Sequence, residues 1–110
     1  MKKSVKKEIK KLMKESGVDY PVKKFKYHVD WSIFSHYQKT SEDFIKEFKD
    51  EIDWSCISQR QKLSLDFIYE FRDRLDIKFL IESGVITKKE LKELEYKNEI
   101  NSRFDILDIR

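Results

Sequence analysis

The chain has 110 residues, 41% of them charged and 14% aromatic, with two Gly, one Pro and one Cys. That is enough for a single hydrophobic core and too apolar for a disordered chain. No run approaches the ~20 apolar residues of a membrane span, and the early lysines lack the apolar stretch of a signal peptide.

A lone Cys56 excludes an internal disulfide and fits a reducing compartment, so a soluble cytoplasmic protein is expected. Abundant Lys and Glu with few breakers favour an all-α fold. The net charge of +3 is uneven: residues 1–30 carry ten Lys against four acids (+6), and residues 31–110 carry 14 bases against 17 acids (−3).

Residues 5–15 predict a helix, because Val5, Ile9, Leu12 and Met13 fall on one stripe. Gly17 ends it in the manner of a left-handed C-cap. Asp19 then predicts an N-cap, with Pro21 in the first turn of a new helix.

From Asp30 the chain says the same thing twice. Positions 30–52 and 53–75 are identical at 13 of 23 places, which marks a tandem repeat. The register extends outward: Val22, Ile45, Ile68 and Leu91 share one phase, and Phe25, Phe48, Phe71 and Leu94 another. The expected fold is all-α, with short helix-turn-helix repeats of 23 residues stacked as a small α-solenoid-like array. As a single domain over 1–110, it would comprise a basic helical cap (1–28), repeats at 29–52, 53–75 and 76–98, and a C-terminal cap (99–110) carrying Phe104, Ile106, Leu107 and Ile109.

Helix starts are specified locally. Asp30, Asp53 and Asp76 predict N-caps for the first helix of each unit, and Ser41, Ser64 and Thr87 for the second. Glu90 completes a Thr-x-x-Glu capping box. Phe44, Ile45, Phe48 and Ile52 in one copy, and Phe67, Ile68, Phe71 and Leu75 in the next, would be buried by the second helices.

Nothing in the chain assembles a reaction. His28 and His36 are the only histidines, no phosphate loop or dinucleotide fingerprint occurs, and neither a metal site nor a cofactor is expected. Cys56 aligns with Ile33 and Phe79 and reads as a small core residue. The repeated acids read as caps and solvated helix faces, Ser35/Ser58 and Gln38/Gln61 as contacts between helices. Trp31 and Trp54 read as a hydrophobic seam; stacking nucleic-acid bases would need exposed indole faces. A non-enzymatic protein is expected.

In a repeat array, surface positions at which copies differ are candidates for recognition. Glu42 and Lys46, a favourable i,i+4 pair, become Leu65 and Tyr69; either the C-terminal tail or a partner would cover that apolar pair. With the neighbouring Tyr37/Arg60 difference, this selects Tyr37, Arg60, Leu65, Tyr69 and Arg72 as partner-binding residues. The alternative is nucleic-acid binding through Lys3, Lys7, Lys10 and Lys14 of the first helix. Membrane-surface binding is disfavoured, because the apolar stripe lacks Trp and Phe. Open array ends would also permit homo-oligomers.

The motif Asp-Trp-Ser-x-Ile-Ser-x-x-Gln-Lys-Leu-Ser-x-x-Phe-Ile-x-Glu-Phe, running from Asp53 to Phe71, resembles short helical repeats in uncharacterised proteins of bacteriophages, giant viruses and AT-rich bacteria. The resemblance covers 29–75 well, 76–98 in part and the first 20 residues hardly at all. It implies a small phage or mobile-element protein, a kind that often inhibits host defence, as anti-CRISPR proteins do. The partner it implies is a host or bacterial protein such as a nuclease–RNA complex.

Overall fold

Side-chain caps mark where the helices from Trp31 onward begin. In the computed structural model, which describes residues 1–97, Asp30 Oδ1 accepts from Ile33 N at 3.2 Å, Asp53 Oδ1 from Ser55 N and Cys56 N at 3.0 and 3.3 Å, and Asp76 Oδ1 from Phe79 N at 3.1 Å. Ser41 and Ser64 hydroxyls accept from Phe44 N and Phe67 N. Each bond satisfies one backbone donor that a helix start leaves open.

The elements that result are α1 (Lys3–Ser16), a 3-10 turn (Val22–Lys24) leading into α2 (Phe25–His28), α3 (Trp31–Tyr37), α4 (Glu42–Glu47), α5 (Trp54–Arg60), α6 (Leu65–Glu70) and α7 (Ile77–Glu82). Residues 88–97 are helical. Among the described residues, every regular element is helical, and no helix is long and apolar enough to cross a membrane.

Both glycines stop helices. Gly17 (φ 71°) follows α1 and Gly84 (φ 80°) follows α7, each in the left-handed region. Around each, the next residue bonds back across the last turn, Val18 N to Met13 O and Val85 N to Leu80 O, both at 3.0 Å. This paired closure is the Schellman arrangement. Asp19, in contrast, caps nothing: the turn that follows starts at Pro21, with no side-chain cap bond. Proline supplies the preset φ there and needs no donor.

Two compact units divide the chain at Gln61/Lys62. In the first, α1 buries Val5, Ile9 and Met13, and packs on α4. Phe25 lies at the centre of an aromatic cluster, with Trp31, Phe34, Phe44 and Phe48 at ring-centroid distances of 6.0, 6.1, 6.0 and 5.7 Å. Edge-on and tilted pairs of this kind add to burial by ~0.5–1.5 kcal/mol each.

The second helices are shorter than the apolar pattern suggests. α4 ends at Glu47, and α6 at Glu70, where Phe48 and Phe71 leave helical geometry. Turns then carry the chain to Ile52 and Leu75, which are buried all the same. In the second unit, Phe67, Ile68, Leu75, Leu80 and Ile86 are buried, and the Phe67 and Phe71 rings lie 4.7 Å apart. Thr87 and Glu90 form the capping box: Thr87 N donates to Glu90 Oε1 at 3.1 Å, and Glu90 N to Thr87 Oγ1 at 3.0 Å. The expected C-terminal cap over 99–110 lies outside the described residues.

Candidate interaction surfaces

The contact between α3 and α5 brings the first helices of the two copies together. Ser35 and Ser58 are both 2% exposed. Ser35 Oγ accepts from Asp53 N at 2.9 Å, so the backbone donor of one helix's cap residue is satisfied by the preceding helix. Gln61 Nε2 donates to Gln38 O at 2.9 Å, across one repeat period. A serine is needed at this contact because a larger side chain would hold the helices apart.

The tryptophans are equivalent to the hydrogen bond. Trp31 Nε1 donates to Lys26 O and Trp54 Nε1 to Lys49 O, each at 2.9 Å. The Trp31 ring lies against Phe34 and Phe48, with centroids 5.4 and 5.0 Å away. A ring committed to such a cluster is an internal seam rather than a stacking platform for bases.

Cys56 is half-buried rather than part of the core; its neighbour Ile57 takes the buried place. Its Sγ lies 4.0 Å from His36 Nδ1. Burial first, then the negative charge and hydrogen bond of Asp53, push the thiol pKa up from its ordinary value. A nucleophilic cysteine needs the opposite shift. Among the described residues, no three His, Cys, Asp or Glu side chains gather as a metal ion would require.

Of the residues expected to bind a partner, two meet in the first unit. Tyr37, 77% exposed at the end of α3, and Arg60, exposed at the end of α5, share a groove of about 310 Å³ with His36, Lys39 and Gln59. The lining includes no acid. The other three lie in the second unit. Leu65 is 39% exposed, while Tyr69 and Arg72 are half-buried. Arg72 lies over the Tyr69 ring, its Cζ 4.2 Å from the centroid, and its Nη1 donates to Tyr69 O at 2.8 Å. This cation–π contact holds both side chains in one arrangement.

Lys3, Lys7, Lys10 and Lys14 are all exposed along one side of α1. Their i, i+4, i+7, i+11 spacing spans about 16 Å at 1.5 Å per residue. Among the described residues of α1 and its N-cap, it is Lys2 that forms an ion pair, with Asp43 at 3.1 Å.

One contact was invisible in the sequence. Glu8 Oε2 accepts from Ser41 N at 2.9 Å, and Glu8 Oε1 from Ser41 Oγ at 2.6 Å. In a capping box the acid stands three residues after the cap; here that place is taken by Phe44, and Glu8 of α1 supplies the acid from 33 residues away. No sequence signal short of the fold would pair them. Comparison with known proteins brings no outside guide: no family model, curated protein or solved structure matches the chain significantly.

Proposed function

We propose that this chain is a non-enzymatic protein-binding module whose 23-residue units form a small α-solenoid-like array. The packing of α3 on α5 supports the array, because equivalent helices meet through the Ser35 and Gln61 bonds. The observation that carries the binding reading is Tyr37, left 77% exposed beside Arg60 in a groove without acids. Tyr and Arg are the residue types that dominate interface energetics, since both offer large contact area with a polar tip. Leu65, with the Tyr69–Arg72 pair, provides further contact residues.

The repeat resemblance directs the choice of target: a host protein, with a CRISPR nuclease–RNA complex as the leading case and the chain as its inhibitor. The decisive experiment is affinity capture of such a complex by the tagged protein, together with inhibition of its nuclease. Tyr37→Ala with Arg60→Glu removes both effects while thermal unfolding stays that of the parent. A variant that captures and inhibits as well as the parent sinks the assigned surface.

The lysine side of α1 supports a second reading, nucleic-acid binding through Lys3, Lys7, Lys10 and Lys14. Neutralising phosphates releases counterions, so four contacts give a log–log salt slope of roughly −3 to −4. Binding to RNA or DNA that is indifferent to salt, or to replacing these lysines by Gln, eliminates it.

A further inference from the structure

The groove shared by Tyr37 and Arg60 is set apart by its charge. Residues 31–41 and 54–65, which contain α3 and α5, hold no acid, although residues 31–110 as a whole hold more acids than bases. The groove forms where the ends of these two stretches meet, from residues 35–39 and 59–61. Lys39 and Arg60 place two fixed positive charges in its lining, and both are exposed.

Two backbone carbonyls of the lining are already engaged: Gln38 O accepts from the Gln61 amide at 2.9 Å, and Lys39 O from the Gln38 amide at 3.4 Å. The ends of α3 and α5 are closed as well, because Phe34 O accepts from Gln38 N and Ile57 O from Gln61 N. The cations have no such partners. Among the described residues, neither Lys39 nor Arg60 forms an ion pair. Tyr37 adds an apolar wall. Its ring packs edge-on against His36, with centroids 4.5 Å apart and planes at 79°, while the residue stays 77% exposed. A ring held in this way meets a ligand at little further cost in side-chain entropy.

We infer that the groove receives an acidic segment of the partner protein, with one Asp or Glu carboxylate bound by Arg60 and Lys39 together. Arg60 offers its planar fork to both carboxylate oxygens, Lys39 adds a point charge, and the Tyr37 ring covers the methylenes of the bound side chain. The argument for this occupant is charge complementarity: two cations of one sign face a lining without a carboxylate. The inference rests on the protein-binding reading of this groove and names the chemistry of the partner. A nucleic-acid strand is the poorer occupant. Its charge recurs at every nucleotide, whereas the acid-free stretch after Lys39 ends within three residues, at Glu42 and Asp43.

The probe is an acetylated and amidated hexapeptide of alternating Asp and Glu, added to the full chain and followed by two-dimensional amide NMR. Saturable shifts centred on residues 36–39 and 59–61 are expected, and they weaken as salt is raised. Both cations are exposed, so Arg60→Gln should weaken binding roughly fivefold, and Arg60→Gln with Lys39→Gln roughly tenfold. The same peptide with Asn and Gln in place of the acids should shift nothing. Equal shifts from that neutral peptide, unchanged affinity in the double variant, shifts centred on α1 instead, or none up to millimolar acidic peptide overturn the acidic occupant. Tighter binding of a thymidine hexanucleotide at these residues overturns it in favour of nucleic acid. Capture of the nuclease–RNA complex separates this inference from the reading beneath it. If the double Gln variant captures as well as the parent while Tyr37→Ala with Arg60→Glu does not, the surface stands and its acidic occupant falls. If Tyr37→Ala with Arg60→Glu also captures fully, both fall.

Discussion

Removing the Glu8 carboxylate tests the long-range cap on α4. Glu8→Ala deletes two acceptors, one for Ser41 N at 2.9 Å and one for Ser41 Oγ at 2.6 Å. An N-cap interaction is worth ~1 kcal/mol, and a hydrogen bond to a charged group ~1.5–3 kcal/mol when it is out of water. Glu8 is half-buried, so solvent brings the total toward the lower figure; about 1.5 kcal/mol is expected. For a chain of this size that lowers Tm by roughly 6–12 °C.

Urea unfolding followed by far-UV circular dichroism gives the free energy directly. Ser41→Ala loses the hydroxyl's bond to Glu8 and its bond from Phe44 N, while the backbone N–H of residue 41 still reaches Glu8. The two changes are therefore less than additive, with a coupling of ~1 kcal/mol in the double-mutant cycle. Glu8→Gln, which keeps an acceptor without the charge, falls between parent and Glu8→Ala. A Glu8→Ala variant within ~0.3 kcal/mol of the parent, or strict additivity with Ser41→Ala, refutes the cap; independent sites add to about that precision.

Phe25→Ala empties the centre of the aromatic cluster and should cost ~3–5 kcal/mol, read as loss of cooperative melting in the first unit. Gly17→Ala and Gly84→Ala each place a Cβ at positive φ, with open space around it, so backbone strain alone costs ~1 kcal/mol each in urea unfolding. Trp31→Phe keeps the ring contacts but leaves Lys26 O without its indole donor. A cost of ~1 kcal/mol is expected, and the parent's Trp31 indole proton should exchange slowly with solvent. For Cys56 the folded thiol pKa is raised, so the folded state holds its proton more tightly than the unfolded chain. The associated stability is complete below the ordinary thiol pKa and is lost as pH rises through the raised one. Alkylation at neutral pH is accordingly slower than in the denatured chain, and equal rates would contradict this.

What the sequence made legible was local. An Asp or Ser cap, a Thr-x-x-Glu box and a Gly after a helix each act within about six residues, and Asp53, Ser64, Thr87 and Gly17 appear in the structure as read. The 23-residue phase also placed Phe25, Phe48 and Phe71 in equivalent registers. It could not tell that Phe25 lies at the centre of the cluster, because that depends on how α2, α3 and α4 converge. Asp19 has the same residue type as the capping aspartates, yet the chain turns at Pro21 and leaves it uncapping. Surface assignments were the least legible. Tyr37 and Arg60 meet in one groove because α3 lies on α5, whereas Leu65, Tyr69 and Arg72 belong to the second compact unit.

The bond from Asp53 N to Ser35 Oγ has a consequence for how the two helices depend on each other. Asp53 stabilises the start of its own helix with its side chain, but its backbone donor is satisfied only when α3 is in place. α3 and α5 are each seven residues long, and a helix of that length does not persist alone, so each stands by packing on the other. Cooperativity here is mutual: each helix is supported by the same bonds once the other is in place, so unravelling α3 weakens α5 and unravelling α5 weakens α3.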